Sequence, residues 1–327
     1  MARRVHFGVM LPMWSYNVYE DVSFAQVAAM ARDAERLGYD YVSSDDHLQR
    51  GDGRALDSLT SLAALAAQTT RVRLRTTVLS AMFRPPSLVA KMAANIDVIS
   101  GGRLELGIGA GWKQEEADAY GLAWDGAKGR LDRLEEACQV ILALWTQEEA
   151  TFTGRHFRLQ RAKCAPPPVQ RPHPPLWIGG GGERRTLRIA AAYADGVDFA
   201  APGIGHGGPL DPLEYFVHKR QVLHAHCRDV KRDPAAVALA AGVNIVLWGR
   251  SRAAVEARLA SAAAQPGLSE GERQRMGALR GAVETAQEAI ATIERYVQAG
   301  ATHIMLSRPA PEGLQRFARE VMPHFRA

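Results

Sequence analysis

The sequence predicts an α/β fold, a (β/α)₈ TIM barrel with insertions. Three observations carry that expectation. Strand-like and helix-like segments alternate from one end to the other, eight strand-like segments can be counted, and no composition shift divides the 327 residues. Repeated β-α units imply a parallel sheet with right-handed crossovers, and eight of them favour closure over an open doubly wound sheet. A single domain over residues 1–327 is therefore expected, a length that such a barrel accommodates.

Taken in order, Val5–Leu11 is a short apolar run halted by Pro12. Phe24, Val27, Ala31 and Ala34 recur at helical spacing, and Leu37-Gly38 is the stop signal of that helix. Tyr41–Ser44 is the next strand, Leu59–Gln68 a helix, and Val72–Leu79 a strand. Pro85-Pro86 opens a helix that runs to Ser100-Gly101-Gly102, and Leu104–Gly109 is an apolar strand ending in glycine. Leu131, Leu134, Cys138, Ile141, Leu142 and Trp145 mark an amphipathic helix. The pattern then breaks: residues 147–175 hold six prolines and few periodic positions, the mark of a long excursion packed on the body. Alternation resumes with strand Leu176–Ile178, a helix over Glu183–Ala194, strand Val197–Ala200, helix Leu213–Arg228 and strand Val237–Leu247. Residues 251–300 are alanine-rich and read as a helical insertion, before a last strand, His303–Leu306, and a last helix, Gly313–Phe325.

Composition narrows the function. Lys and Arg number 40 against 35 Asp and Glu, and the +5 excess is spread along the chain, which does not suggest a nucleic-acid partner. Cys138, Cys164 and Cys227 are scattered and give neither disulfide nor zinc spacing. The apolar stretch behind Arg3-Arg4 is too short for a signal peptide, and no run approaches the ~18 apolar residues of a membrane span. A cytoplasmic protein without a membrane partner is expected.

Three motifs carry chemistry. Gly107-Ile108-Gly109-Ala110-Gly111-Trp112 lacks the third glycine of a dinucleotide fingerprint, since Trp112 stands in its place. Its glycines suit either a tight turn or close approach of backbone to a flat ligand, and a position at the barrel mouth favours the ligand. The run Gly179-Gly180-Gly181-Gly182-Glu183 ends a strand before a helix; its backbone amides suit a phosphate, although no Lys-Ser or Lys-Thr follows to make a P-loop. Asp45-Asp46-His47 follows the second strand, at the face where catalytic groups gather, and an imidazole there exchanges protons near neutral pH. Asp46 is expected to orient His47 or to contact a cofactor. Other constellations fail: His224 and His226 lie on different helix faces and with Cys227 make no metal site, and no serine-hydrolase elbow or HExxH is present. Trp145 reads as core, whereas Trp14 and Trp112 follow strand ends and are placed to line a pocket.

Ser44-Asp45-Asp46-His47, Thr76-Thr77-Val78-Leu79, residues 88–111 and residues 172–188 (PHPPLWIGGGGERRTLR) together resemble the luciferase-like flavin and deazaflavin oxidoreductases, nearest the branch that uses coenzyme F420. The resemblance covers nearly the whole chain and is weakest over 251–282. It implies a barrel that holds the deazaflavin in a cleft at its C-terminal face. Asp46 and His47 would then be catalytic, with His47 near the reactive ring carbon and Asp46 also beside the cofactor. Thr77-Val78 would form a non-proline cis peptide backing the ring. Gly109, Ala110 and Gly111 would flank the ring or ribityl chain, and Gly180, Gly181 and Gly182 would hold the phosphate. Some relatives carry a catalytic Glu after the fourth strand, where this chain reads Ala110-Gly111-Trp112. The implied activity is hydride transfer between F420 and a small-molecule organic substrate by a homodimer. The alternatives are an FMN-dependent monooxygenase and a non-catalytic cofactor-binding protein of the same fold.

Overall fold

The computed structural model describes residues 4–14, 22–50, 54–199, 211–243, 285–307, 309 and 311–326. Its strands in chain order are β1 (His6–Met10), β2 (Tyr41–Ser44), β3 (Arg73–Thr76), β4 (Leu79–Ser80) and β5 (Leu104–Gly109). After these come β6 (Ala150–Thr153), β7 (Arg158–Ala162), β8 (Leu176–Gly179), β9 (Gly196–Asp198), β10 (Ala238–Val243) and β11 (His303–Leu306). Eight of them pair in parallel in the order β3-β2-β1-β11-β10-β9-β8-β5, and β5 returns to β3 through Leu74 opposite Leu104. The sheet is thus a closed barrel. Its strands are buried on both faces, as continuous apolar runs in a parallel barrel must be; all six residues of β5 are buried.

The described helices are α1 (Phe24–Arg36), α2 (Ser58–Ala66), α3 (Pro86–Ser100), α4 (Gln114–Ala119) and α5 (Ala127–Thr146). They continue with α6 (Thr186–Tyr193), α7 (Pro212–Asp229), α8 (Ala286–Gln298) and α9 (Pro311–Glu320). Local sequence sets their ends. Ser23 caps α1 through the Gln26 amide while Gln26 answers on the Ser23 amide, a reciprocal capping box. Pro86 opens α3, where the missing N–H is no loss, and Gly101 closes it in the left-handed region at φ +67. Trp145 is buried, and its indole donates to the Ala90 carbonyl at 2.9 Å.

Three expectations change. The strand expected over Val72–Leu79 is split into β3 and β4 by a cis Thr77–Val78 peptide. The 147–175 excursion carries an antiparallel hairpin, β6–β7, and two cis X-Pro bonds, at Pro166 and Pro172. Its strands escape a periodicity reading because mainly exposed and half-buried residues make them up. The helix expected from Glu183 begins at Thr186, since the glycine run and the turn behind it occupy the preceding residues. Of the expected strand Val237–Leu247 and the helical insertion 251–300, the parts at 244–284 lie outside the described residues; within the described parts stand β10 and α8. Among the described residues no helix is long and apolar enough to cross a membrane.

The barrel lumen is not simply apolar. Arg75, 1% exposed, lies between the rings of Tyr41 and Trp177, its guanidinium carbon 4.0 and 3.6 Å from their centroids. Those rings need space, and glycines provide it. A Cβ on Gly8 would stand 2.1 Å from the Tyr41 ring, and one on Gly196 would stand 2.5 Å from that of Trp177. Arg75 Nε donates to Glu105 at 2.6 Å, and Arg73 binds the other oxygen of the same carboxylate. Burial works to raise the pKa of Glu105, but the two arginines outweigh it and hold it at about 2. Asp198 has no such clasp: burial lifts it to about 6, with only the charge of Arg75 opposing.

Candidate active site

The loop leaving β2 brings Asp45, Asp46 and His47 to the mouth of the barrel, and each meets a different partner. Asp45 accepts a hydrogen bond from the Trp14 indole at 2.8 Å. Asp46 accepts from the Ser80 amide at 3.0 Å and from Arg84 Nη1 at 2.9 and 3.0 Å, while Arg84 Nη2 pairs with Asp57. Burial pushes the Asp46 carboxyl above its ordinary pKa even so, with Arg84 and the Ser80 amide pulling the other way. His47 Nδ1 lies 2.7 Å from Glu116 Oε1, and Glu116 Oε2 accepts the Leu48 amide at 2.9 Å. The expectation that Asp46 orients His47 is therefore corrected. Asp46 ties the β2 loop to the segment after β3, and the imidazole's carboxylate is Glu116 on α4.

Two indoles flank the imidazole. Trp14 and Trp112 both lie edge-on to His47, ring centroids 6.1 Å away in each case. Arg50 stands over both, its guanidinium carbon 4.6 Å from Trp14 and 5.1 Å from Trp112. Both tryptophans thus line this wall, and Trp112 is 47% exposed. A small apolar cluster of Met82, Phe83 and Ala117, backed by Leu48, Leu122 and Trp124, anchors α4 beneath it.

The cis Thr77–Val78 peptide sits between β3 and β4. Val78 packs where side chains on two strands, β5 and β8, would otherwise collide: a Cβ added to Gly107, Gly109 or Gly179 would stand 2.6–3.0 Å from its methyl carbons. Gly111 is required for two reasons, a φ of +75 and the Ser80 hydroxyl 2.6 Å from where its Cβ would be. Ala110, between them, is half-buried. The Thr77 hydroxyl is buried and has no hydrogen-bond partner among the described residues. A buried hydroxyl without a partner is a group for which a ligand atom is the natural acceptor. The strip from Gly109 to Gly111 and the Thr77–Val78 peptide therefore share one ledge of the mouth.

The glycine run lies at the end of β8. Its first amide, Gly180 N–H, is committed to the Asp198 carbonyl at 3.0 Å, so Gly180 does not offer it to a ligand. Among the described residues no acceptor meets the Gly181 and Gly182 amides. The space above them is backbone-only by construction, since a Cβ on Gly181 would fall 2.1 Å from the Tyr215 hydroxyl and one on Gly182 would fall 2.7 Å from that of Thr186. Lys219 of α7, 4% exposed, lies along this run and donates to Glu183 at 2.6 Å. His226 does not approach a metal arrangement; its Nε2 is 2.8 Å from the Glu183 carbonyl oxygen. Among the described residues no three metal-ligating side chains converge.

Sequence reasoning missed Glu116, Arg84, Arg50 and Lys219. Glu116 had one available signal, a carboxylate in the first helical turn after the fourth barrel strand, four residues beyond the Ala110-Gly111-Trp112 turn. Lys219 had none, because α7 reaches the glycine run only through the tertiary fold.

The family model described as luciferase-like monooxygenase matches residues 5–303. An F420-dependent glucose-6-phosphate dehydrogenase of Nakamurella multipartita is 39% identical over 176 residues, 53% of this chain and 51% of that protein, so the chain spans about half the length of that relative. Another of the same description, from Beutenbergia cavernae, is 29% identical over 323 residues, 90% of this chain and 91% of that protein. Among solved structures, an F420-dependent secondary alcohol dehydrogenase in complex with an F420-acetone adduct superposes with a TM-score of 0.79 at 21% identity, covering 99% of this chain and 100% of that one. That likeness is one of fold.

Proposed function

The chain belongs to the luciferase-like monooxygenase family, and from that premise we propose that it is an oxidoreductase using coenzyme F420 to move a hydride to or from a small organic substrate. The observation that carries this reading is the placement of His47, whose Nδ1 is held by Glu116 at 2.7 Å while the ring stands between two indoles at the barrel mouth. The two relatives described above as F420-dependent support F420 as the cofactor.

The residues fit such a group. The Gly181 and Gly182 amides, with Lys219 beside them, would hold a phosphate, because backbone N–H groups and a nearby cation both favour an anion. The ledge of Gly109, Ala110 and Gly111 and the Thr77–Val78 peptide would support a planar ring, with the Thr77 hydroxyl able to donate to it. When bound, a deazaflavin supplies a ring carbon that gives or takes a hydride. His47 gives or takes the accompanying proton at Nε2, the nitrogen that Glu116 leaves open. Trp14 and Trp112, edge-on to the imidazole, shape the substrate wall beside it. Asp46 acts at a distance, by fixing Ser80 and Arg84 beneath the ledge.

A second reading, a monooxygenase that uses reduced FMN, is supported by the family model's description as a monooxygenase and by a sequence relative described as an FMNH2-dependent monooxygenase. Titrating the cofactor-free protein with F420 and, separately, with FMN decides between them. Tight, saturable binding of F420 with weak FMN binding is expected; the reverse order overturns the F420 reading in favour of the monooxygenase. Binding of neither sinks both.

A further inference from the structure

The geometry points to Glu116 as the positioning residue of His47: it fixes the imidazole in the tautomer with hydrogen on Nδ1, so that Nε2 carries the lone pair presented to the mouth. This rests on the reading of His47 as the proton-handling group.

The argument is one of hydrogen-bond accounting. Glu116 is fully buried, and each carboxylate oxygen has one close partner. Oε2 faces the Leu48 amide at 2.9 Å, a backbone N–H that can only donate. Oε1 faces His47 Nδ1 at 2.7 Å. An ionised carboxylate only accepts, so the hydrogen of this second contact belongs to the imidazole. Lys113 Nζ, 3.9 Å from the same oxygen, places a cation beside this carboxylate. Packing keeps the arrangement in place. Ala117, next in the chain, is wholly buried in the Met82–Phe83 cluster, which pins the short helix α4. The flanking Trp14 and Trp112 edges leave the His47 ring little freedom to turn. A ring turned by half would set carbon Cδ2 against the carboxylate and lose the bond.

A glutamine at 116 has the same shape and the opposite consequence. It has one acceptor oxygen, and the Leu48 amide, which cannot reverse, claims it. The amide NH₂ then faces Nδ1 and requires that nitrogen to accept, which moves the ring hydrogen to Nε2. Glu116→Gln therefore inverts the tautomer without removing volume from the core.

The test is nitrogen NMR of the full chain, without cofactor, carrying ¹⁵N-imidazole histidine, with the His47 signals identified by their absence from His47→Gln. In the wild-type protein at a pH where His47 is neutral, Nδ1 is expected to show the shift of a protonated ring nitrogen and Nε2 that of a lone-pair nitrogen. In Glu116→Gln the two are expected to exchange. A wild-type signal with hydrogen on Nε2, or an unchanged pattern in the folded variant, overturns the proposal. The wild-type spectrum decides alone if the variant does not fold. Because no cofactor is present, a tautomer that follows the expectation beside a failed F420 titration would remove the F420 reading and leave the role of Glu116 standing.

Discussion

The lumen and the mouth of the barrel both bury a carboxylate against arginine, and the two pairs end on opposite sides of the ordinary pKa. Glu105 in the lumen faces Arg73 and Arg75, and two cations on one carboxylate hold it at about 2 despite burial. Asp46 at the mouth is as deeply buried, but its one arginine is shared with Asp57, and burial keeps its pKa above the usual range. What differs is the number of cations per carboxylate. The lumen pair is saturated and clamped between aromatic plates, the arrangement of a structural joint. The mouth spends a single cation on two acids and devotes its remaining contacts to backbone positions that shape a ledge. Variants in the two regions should accordingly separate, one set acting on activity and the other on stability.

The largest effect is expected at His47. Replacing it by Ala should lower the single-turnover rate of hydride transfer by about 10²–10⁴, the usual worth of a positioned acid or base. Melting temperature and cofactor affinity should stay near those of the wild type, because the ring packs at the mouth rather than in the main core. Transfer at the wild-type rate would end the proton-handling role. In the lumen, Glu105→Ala should destabilise by about 3–5 kcal/mol, the loss typical of stripping one partner from a buried ion pair. Urea denaturation reads it, and a loss under about 1 kcal/mol would mean that Arg75 finds Asp198 instead.

Asp198 tests the same contrast through pH. Its folded pKa of about 6 lies above the ordinary 3.8, so the native state binds a proton more tightly than the unfolded chain. That bound proton contributes stability below the unfolded value, and the contribution is lost as pH rises toward 6. Integrated over that window, the loss is about 3 kcal/mol. Asp198→Asn removes the charge that must be buried. Its stability relative to wild type should improve by about that amount between pH 4 and pH 8, and denaturation curves at the two values that move in parallel would contradict it.

How much of this the sequence disclosed follows from where each signal lives. The barrel was legible because apolar strands and capped helices write themselves locally: Ser23 and Gln26 announce α1, Pro86 and Gly101 bound α3. The ledge and the cradle were legible because glycine marks positions where a side chain cannot stand, as Val78 and Tyr215 show at Gly109, Gly179 and Gly181. Partnerships were not. Asp46 and His47 are neighbours in sequence, and adjacency suggested that one orients the other, but successive residues leave the strand end in different directions. Glu116 reaches His47 across 69 residues, and Arg84 reaches Asp46 across 38, distances at which no spacing rule applies. Arg75 was invisible for the same reason, since a charge in a strand becomes a lumen joint only once Tyr41, Trp177 and Glu105 surround it.

The smallest expected effect is at Asp46, and it is the one that most sharpens the comparison. Asp46→Asn keeps an oxygen for the Ser80 amide and loses the charge facing Arg84. Arg84 retains Asp57, so no cation is stranded, and the substitution takes away a carboxylate that burial already disfavours. Its amide NH₂ faces Arg84, which has only donors to offer, and that mismatch opposes the gain. The two contributions are of similar size, and stability should change by no more than about 1 kcal/mol. The rate of hydride transfer should hold to within about threefold, because the imidazole's carboxylate is Glu116 and stays in place. Denaturation and single-turnover measurements on one preparation check both. A tenfold or greater loss of rate at unchanged stability would show that Asp46 acts on His47 after all, and would erase the division between a mouth carboxylate that shapes the ledge and another that sets the proton.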